Sequence, residues 1–176
     1  MRKEFSLSSV WRVDATVGEV AAILTDVLHL PDWWGEVYLS TKLTSPGDDT
    51  GIGRQAEVHS KGRLPYDLNW TATLVESAIP DRWKITATGD LTGWGEWVLT
   101  QNGPFVDARY DWHVTADKPI LRLLSPLLAP VFAWNHRWAM AKGEAGLQRE
   151  LLRRRASTAK EFSENSPQIF SEKIST

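Results

Sequence analysis

The strongest constraint on this chain is the segment from Lys118 to Arg155, the only stretch that reads as a long helix. Nearly everything before it alternates apolar and polar with the period of two that marks antiparallel strands. One long helix after a run of strands predicts an α+β fold in which a curved sheet wraps around that helix. Such a grip can leave an apolar hole between sheet and helix. That hole, rather than a catalytic motif, is the expected seat of function.

Phe5, Leu7, Ser9, Trp11 and Val13 alternate with polar neighbours and predict a first strand. Thr16 and Glu19 have the spacing of a capping box, and Val20, Ile23, Leu24, Val27 and Leu28 follow at helical spacing. A short helix is therefore expected to about His29, stopped by Pro31, with Asp32 capping a second turn that carries Trp33 and Trp34. Six more strands are predicted over Glu36–Thr44, Arg54–Lys61, Tyr66–Glu76, Arg82–Asp90, Trp94–Gln101 and Pro104–Ala116. Turn-forming residues separate them, Asn102-Gly103 being a hairpin signal. One face should carry Tyr66, Leu68, Trp70, Trp83, Ile85, Tyr110 and Trp112; the other carries Asp67, Asn69, Lys84, Arg109 and His113. For Trp94–Gln101 the favoured phase turns Trp97 and Leu99 inward. The other phase would turn in Trp94 and could bring Glu96 inward as a buried carboxylate.

The long helix is expected to start near Pro126 or Pro130, because proline is tolerated in a first turn. Phe132, His136, Ala139, Met140, Gly143, Leu147 and Leu151 share one face; Trp134, Trp138, Ala141, Ala145 and Leu152 lie roughly opposite. Arg153, Arg154 and Arg155 read as the helix end, where cations complement the macrodipole. Two units are expected: a domain over residues 1–156, and a polar, Ser-rich tail over 157–176 from which Phe162, Ile169 or Phe170 could still dock.

Composition narrows the function classes. A chain of 176 residues, 42% hydrophobic, is one domain with an ample core. A net charge of −2 offers no basic field for nucleic acid. The absence of cysteine excludes disulfides, thiolate catalysis and cysteine-held metals. The N-terminus lacks the apolar stretch of a signal peptide, and no run is long and apolar enough to span a bilayer, so the expected location is the cytoplasm, without integral membrane association. Ten tryptophans in so small a domain can build a wide core or line a pocket for a flat, greasy ligand.

Catalytic signals are sparse. Gly51-Ile-Gly53-Arg-Gln-Ala56 spells a dinucleotide fingerprint but leads into a strand, and reads as a turn. His29, His59, His113 and His136 show no metal-ligand spacing. Only His136, with Asn135 beside it, lies on the inward helix face. Its plainer reading, a buried hydrogen-bonded histidine, takes precedence over an acid/base or ligand-orienting role. Glu96 is the other weak acid/base candidate. Mid-helix Gly143 reflects either close helix–sheet contact or a pocket that a side chain would fill. The small neighbours Ala139 and Gly146 favour the pocket.

Three segments together resemble the START-like superfamily, the polyketide cyclase/dehydrase and lipid-transport (SRPBCC) group. They are Val17–Leu28 leading into Leu30-Pro-Asp-Trp-Trp34; Gly93-Trp-Gly-Glu-Trp-Val-Leu99 followed by Arg109-Tyr-Asp-Trp112; and Lys118-Pro119 through His136, with Met140, Gly143 and Gly146-Leu147. The resemblance covers about residues 3–155. It implies a helix-grip fold, with a seven-stranded antiparallel sheet, two short helices and an internal cavity for an apolar small molecule such as a lipid, polyketide or aromatic compound. It implies no cofactor and no family-wide catalytic set. Trp34, Trp70, Trp83, Tyr110, Trp112, His136, Met140 and Gly143 are the expected ligand-binding residues, and no metal site is expected. The alternatives are a cyclase or dehydratase using His136 or Glu96, and a co-chaperone-like interaction module. A homodimer stays open.

Overall fold

The computed structural model describes residues 4–63, 65–116 and 119–165. Its elements are β1 (Glu4–Asp14), α1 (Val17–Leu24), a 3₁₀ turn (Val27–His29), α2 (Leu30–Trp33), β2 (Tyr38–Ser45), β3 (Gln55–Lys61), β4 (Asp67–Ala78), β5 (Arg82–Gly89), β6 (Leu91–Asn102), β7 (Phe105–Ala116) and α3 (Pro119–Asn165). The strands form one antiparallel sheet in the order β1-β7-β6-β5-β4-β3-β2. This is the expected helix-grip architecture. Every hairpin from β2 to β7 joins spatial neighbours, and only β1 must cross the molecule to reach β7. The intervening α1 and α2 make that crossing and close one end.

The inward faces bury Trp11 and Val13 of β1, Trp70 and Leu74 of β4, Trp83 and Ala87 of β5, Trp97 and Leu99 of β6, and Tyr110, Trp112 and Val114 of β7. Against them lie Met140, Leu147 and Leu151 of α3. An aromatic side chain buries roughly 150–250 Å² at about 25 cal/mol per Å², several kcal/mol each, whereas helix propensity contributes tenths per residue. Packing on this aromatic layer, not the intrinsic preference of α3, therefore holds the helix in place.

The favoured phase of β6 holds. Trp97 and Leu99 are buried, while Trp94 stacks on His113 on the outer face at 4.1 Å with Lys84 above it at 4.5 Å. The capping box is present: the Glu19 amide donates to the Thr16 hydroxyl and the Thr16 amide donates to the Glu19 carboxylate.

Several boundaries differ from the expectations. The first helix ends at Leu24 rather than near His29: Thr25 caps it, with amide and hydroxyl both on the Ala21 carbonyl, and Asp26 then leaves helical geometry at ψ 72°. Pro31 does not stop that helix; it sits in the first turn of α2, where its missing N–H costs nothing. The last hairpin turns one residue later than Asn102-Gly103 suggests. Asn102 pairs with Phe105, so the loop is Gly103-Pro104, with Gly103 at φ +61°. The long helix begins at Pro119 rather than Pro126 or Pro130, and it runs to Asn165.

Arg153, Arg154 and Arg155 are consequently not a helix end. Arg155 grips Glu19 of α1 at 2.8 Å, Arg154 reaches Asp26 at 3.2 Å, and Arg153 and Arg154 both hold Glu150 at 2.7 Å. The Arg155 guanidinium, helped by the Thr16 amide, pulls the Glu19 carboxyl down to about 2. These bonds strap α1 and the turn after it to α3. Residues 157–160 are exposed, and the docking of Phe162, Ile169 or Phe170 lies outside the described side chains.

Candidate ligand cavity

Two chambers lie on the inner side of the sheet, and only the second is lined by α3, so the expected single hole between sheet and long helix is in part a space beneath α1 and α2. The first, of about 110 Å³, lies under α1 and α2 and is lined by Leu24, Leu30, Val58, Leu74, Trp83, Ile85 and Trp97 among others. The second, of about 140 Å³, lies under the middle of α3 and is lined by Phe5, Leu7, Tyr66, Leu68, Trp112, Phe132, His136 and Met140 among others. Four aromatic residues, Trp34, Tyr38, Trp70 and Tyr110, line both chambers and form the waist between them. The charged residues that touch the chambers, Arg54 in the first and Lys61 in the second, are exposed and so belong to the mouths.

Local sequence explains the waist. Trp34 follows α2 and donates its indole N–H to the Ala139 carbonyl of α3 at 2.9 Å. Trp70 donates to the Ser60 hydroxyl of β3 at 3.0 Å. Tyr110 stacks on Trp97 at 4.5 Å and reaches its hydroxyl over Gly95 of β6, where a Cβ would overlap it. Tyr38 packs edge-on against Trp34 at 5.0 Å. Burial drives the phenol of Tyr38 up to about 12 and raises that of Tyr110 well above its ordinary value, the latter aided by the neighbouring Tyr38. Both therefore stay neutral at any physiological pH.

His136 is the principal titratable group of the second chamber. Its Nε2 lies 3.2 Å from the Ser9 hydroxyl of β1. Burial, with a smaller contribution from the Arg137 charge, pushes its pKa down to about 4. Asn135 also lines this chamber, and its Oδ1 accepts from the Arg63 amide at 2.7 Å, tying the β3–β4 loop to α3.

Of the residues expected from sequence, Trp34, Trp70 and Tyr110 lie at the waist, Trp83 in the first chamber, and Trp112, His136 and Met140 in the second. Gly143 lines neither chamber. Its Cα is packed against Trp34 and Trp11, so the close-contact explanation of this glycine replaces the pocket explanation. Glu96 sits on the outer face, in an ion pair with Arg82 at 2.6 Å, because the phase of β6 turns it away from α3. Sequence reasoning missed Tyr38 and the role of Ser9. The signal for Ser9 was present: it is the one hydroxyl in the alternating series Phe5, Leu7, Ser9, Trp11, Val13. Tyr38 carried none, since its place depends on how far the sheet curls. Among the described residues no cluster of His, Asp and Glu could hold a metal ion, and no helix is long and apolar enough to cross a membrane.

The sheet is open, with β1 and β2 at its edges, and it grips one helix over aromatic chambers. The chain belongs to the family described as polyketide cyclase / dehydrase and lipid transport, which it matches over residues 4–156. No curated protein matches it. Among solved structures it is similar to a Thermus thermophilus protein, with a TM-score of 0.65 and 14% identity over 84% of this chain and 97% of that one. It is also similar to the Zhui aromatase/cyclase of a Streptomyces species, with a TM-score of 0.64 and 16% identity over 86% and 96%. Norcoclaurine synthase of Thalictrum flavum superposes with a TM-score of 0.56 and 13% identity over 88% and 98%. At these identities the likeness is one of fold.

Proposed function

We propose that the protein binds an apolar small molecule, such as a lipid, polyketide or aromatic compound, in the chambers that the sheet encloses with α1, α2 and α3. The observation that carries this reading is the lining: mostly aromatic and aliphatic side chains with a few polar ones, Thr25, Ser60, Asn135 and His136, and the charged groups confined to exposed mouths. Concave apolar sites with few polar groups are the usual form of small-molecule pockets.

The enzyme alternative rests on His136, since Glu96 faces away. With its pKa near 4, roughly one imidazole in a thousand carries a proton at neutral pH, and a base that weak is poorly matched to the task. A neutral imidazole fixed by Ser9 is better suited to orient a ligand's polar group by a hydrogen bond. The interaction-module alternative needs a filled core and an exposed Trp134/Trp138 stripe. Trp134 is exposed beneath Arg63, but Trp138 packs partly on the core, and the interior is not filled.

Native mass spectrometry of protein purified from its own host tests the proposal. The expected result is a co-purifying apolar molecule released on denaturation. Failure to retain any such molecule, together with failure to bind an apolar fluorescent probe, would sink it. His136→Gln separates binding from catalysis: lowered affinity supports an orienting role, whereas turnover lost at full affinity supports proton transfer.

A further inference from the structure

We infer that the ligand is two-lobed, with a ring-sized apolar lobe in each chamber joined through an oxygen-bearing centre that the hydroxyls of Tyr38 and Tyr110 bind at the waist. This rests on the reading of the interior as a ligand site and adds the shape and chemistry of what fills it.

Size comes first. An apolar cavity of about 150 Å³ holds one benzene-sized ring. Each chamber, at about 110 and 140 Å³, is of that order. Neither reaches the roughly 300–1,000 Å³ of typical ligand pockets, and only the two together approach the lower end. A ligand of ordinary size must therefore occupy both and pass the waist.

The chemistry of the waist comes next. Two of its four residues have already used their polar atoms. The Trp34 indole is bound to the Ala139 carbonyl and the Trp70 indole to Ser60, which fixes both rings. Tyr38 and Tyr110 differ. Among the described residues neither phenol has a hydrogen bond, and burial is the main influence on both. Each residue lines both chambers, and neither hydroxyl is among the fully buried unpaired atoms, so each keeps contact with open space. A ligand filling that space would strip water from the hydroxyls, and a ligand oxygen placed there spares the cost of leaving them unpaired. A phenol that stays protonated is a donor, so the complementary group is an acceptor: a carbonyl, ether or hydroxyl oxygen. The missing side chain of Gly95 lets Tyr110 lie across β6 with its hydroxyl above that glycine.

Two probes of matched shape test this: benzophenone, two rings joined by C=O, and 1,1-diphenylethylene, in which C=CH₂ replaces the carbonyl. Binding is followed by tryptophan quenching and calorimetry. The wild type should prefer benzophenone by roughly tenfold or more, the loss expected when a site's buried polar group goes unpaired. Tyr38→Phe and Tyr110→Phe should each reduce the benzophenone-to-diphenylethylene affinity ratio, and the double variant should bring that ratio to about one. Thermal unfolding of each variant confirms that the fold is kept. Equal wild-type affinity for the two probes overturns the oxygen-binding waist and leaves the apolar site standing. Toluene bound with both two-ring probes excluded overturns the two-lobed shape. Binding of no apolar probe at all overturns the ligand site itself, and this inference with it.

Discussion

The α-carbon of Gly143 lies directly against the six-membered ring of Trp34, so that a Cβ at this position would overlap it. The same Cβ would stand 2.7 Å from the Trp11 ring. Trp34 cannot retreat, because its indole N–H is held by the Ala139 carbonyl one turn away. Replacing Gly143 by Ala should therefore destabilise the protein by about 1–3 kcal/mol. This is opposite in sign to the roughly 1 kcal/mol that alanine gains as a helix former. Urea unfolding of Gly143→Ala and Gly143→Leu checks it, with leucine the worse. A stabilised alanine variant would show that the rings yield.

Ser60 is a buried hydroxyl whose described partner is the Trp70 indole N–H at 3.0 Å. Ser60→Ala should leave that donor unpaired and cost about 1–3 kcal/mol, the usual penalty for a stranded buried donor. Ser60→Thr, which keeps an oxygen, should cost less. Denaturant midpoints of the two variants measure the difference; an alanine variant as stable as wild type would mean that Trp70 is not held by this bond.

Stability should fall as pH drops from about 6.5 toward 4.5. The folded His136 takes a proton only near pH 4, while the unfolded one takes it near 6.5. In this window the unfolded state binds more protons, so acidification favours unfolding. At about 1.4 kcal/mol per pH unit the loss is on the order of 2–3 kcal/mol. The Asp26 carboxylate raises the pKa of exposed His29, which acts in the opposite sense, and the carboxyls of Glu19 and Glu150, lowered to about 2, respond only below 4.5. Urea midpoints of wild type and His136→Gln at about pH 7.5 and about pH 5 isolate the effect. The variant should show a flatter dependence, and parallel curves would assign the loss elsewhere.

Truncation after Ser157 should change stability by less than about 1 kcal/mol, since residues 157–160 are exposed although helical. Cutting before Arg153 instead removes the arginines that hold Glu19, Asp26 and Glu150, and should cost clearly more. Thermal unfolding of the two truncations compares them. Equal losses would mean that the segment after Ser157 docks through side chains of its own.

The local rules written in the sequence determined the elements. Alternation set seven strands and their inward faces, Thr16 and Glu19 set the first helix start, and the apolar stripe from Phe132 to Leu151 set the side of α3 that faces the sheet. These are short-range matters of period and capping, and they need no knowledge of the partner. Only the tertiary structure decided what depends on distance across the fold. Gly143 could have faced a void or a ring, and the path of Trp34 settles it. Arg153, Arg154 and Arg155 looked like a helix end until α1 and the turn after it came within reach. Ser9 and His136 lie on the first strand and the last helix, and no spacing along the chain could pair them. Tyr38 joins the waist only because the sheet curls far enough to bring β2 opposite β7. The division of the interior into two chambers is thus a product of sheet curvature, which the period of an alternating strand does not encode.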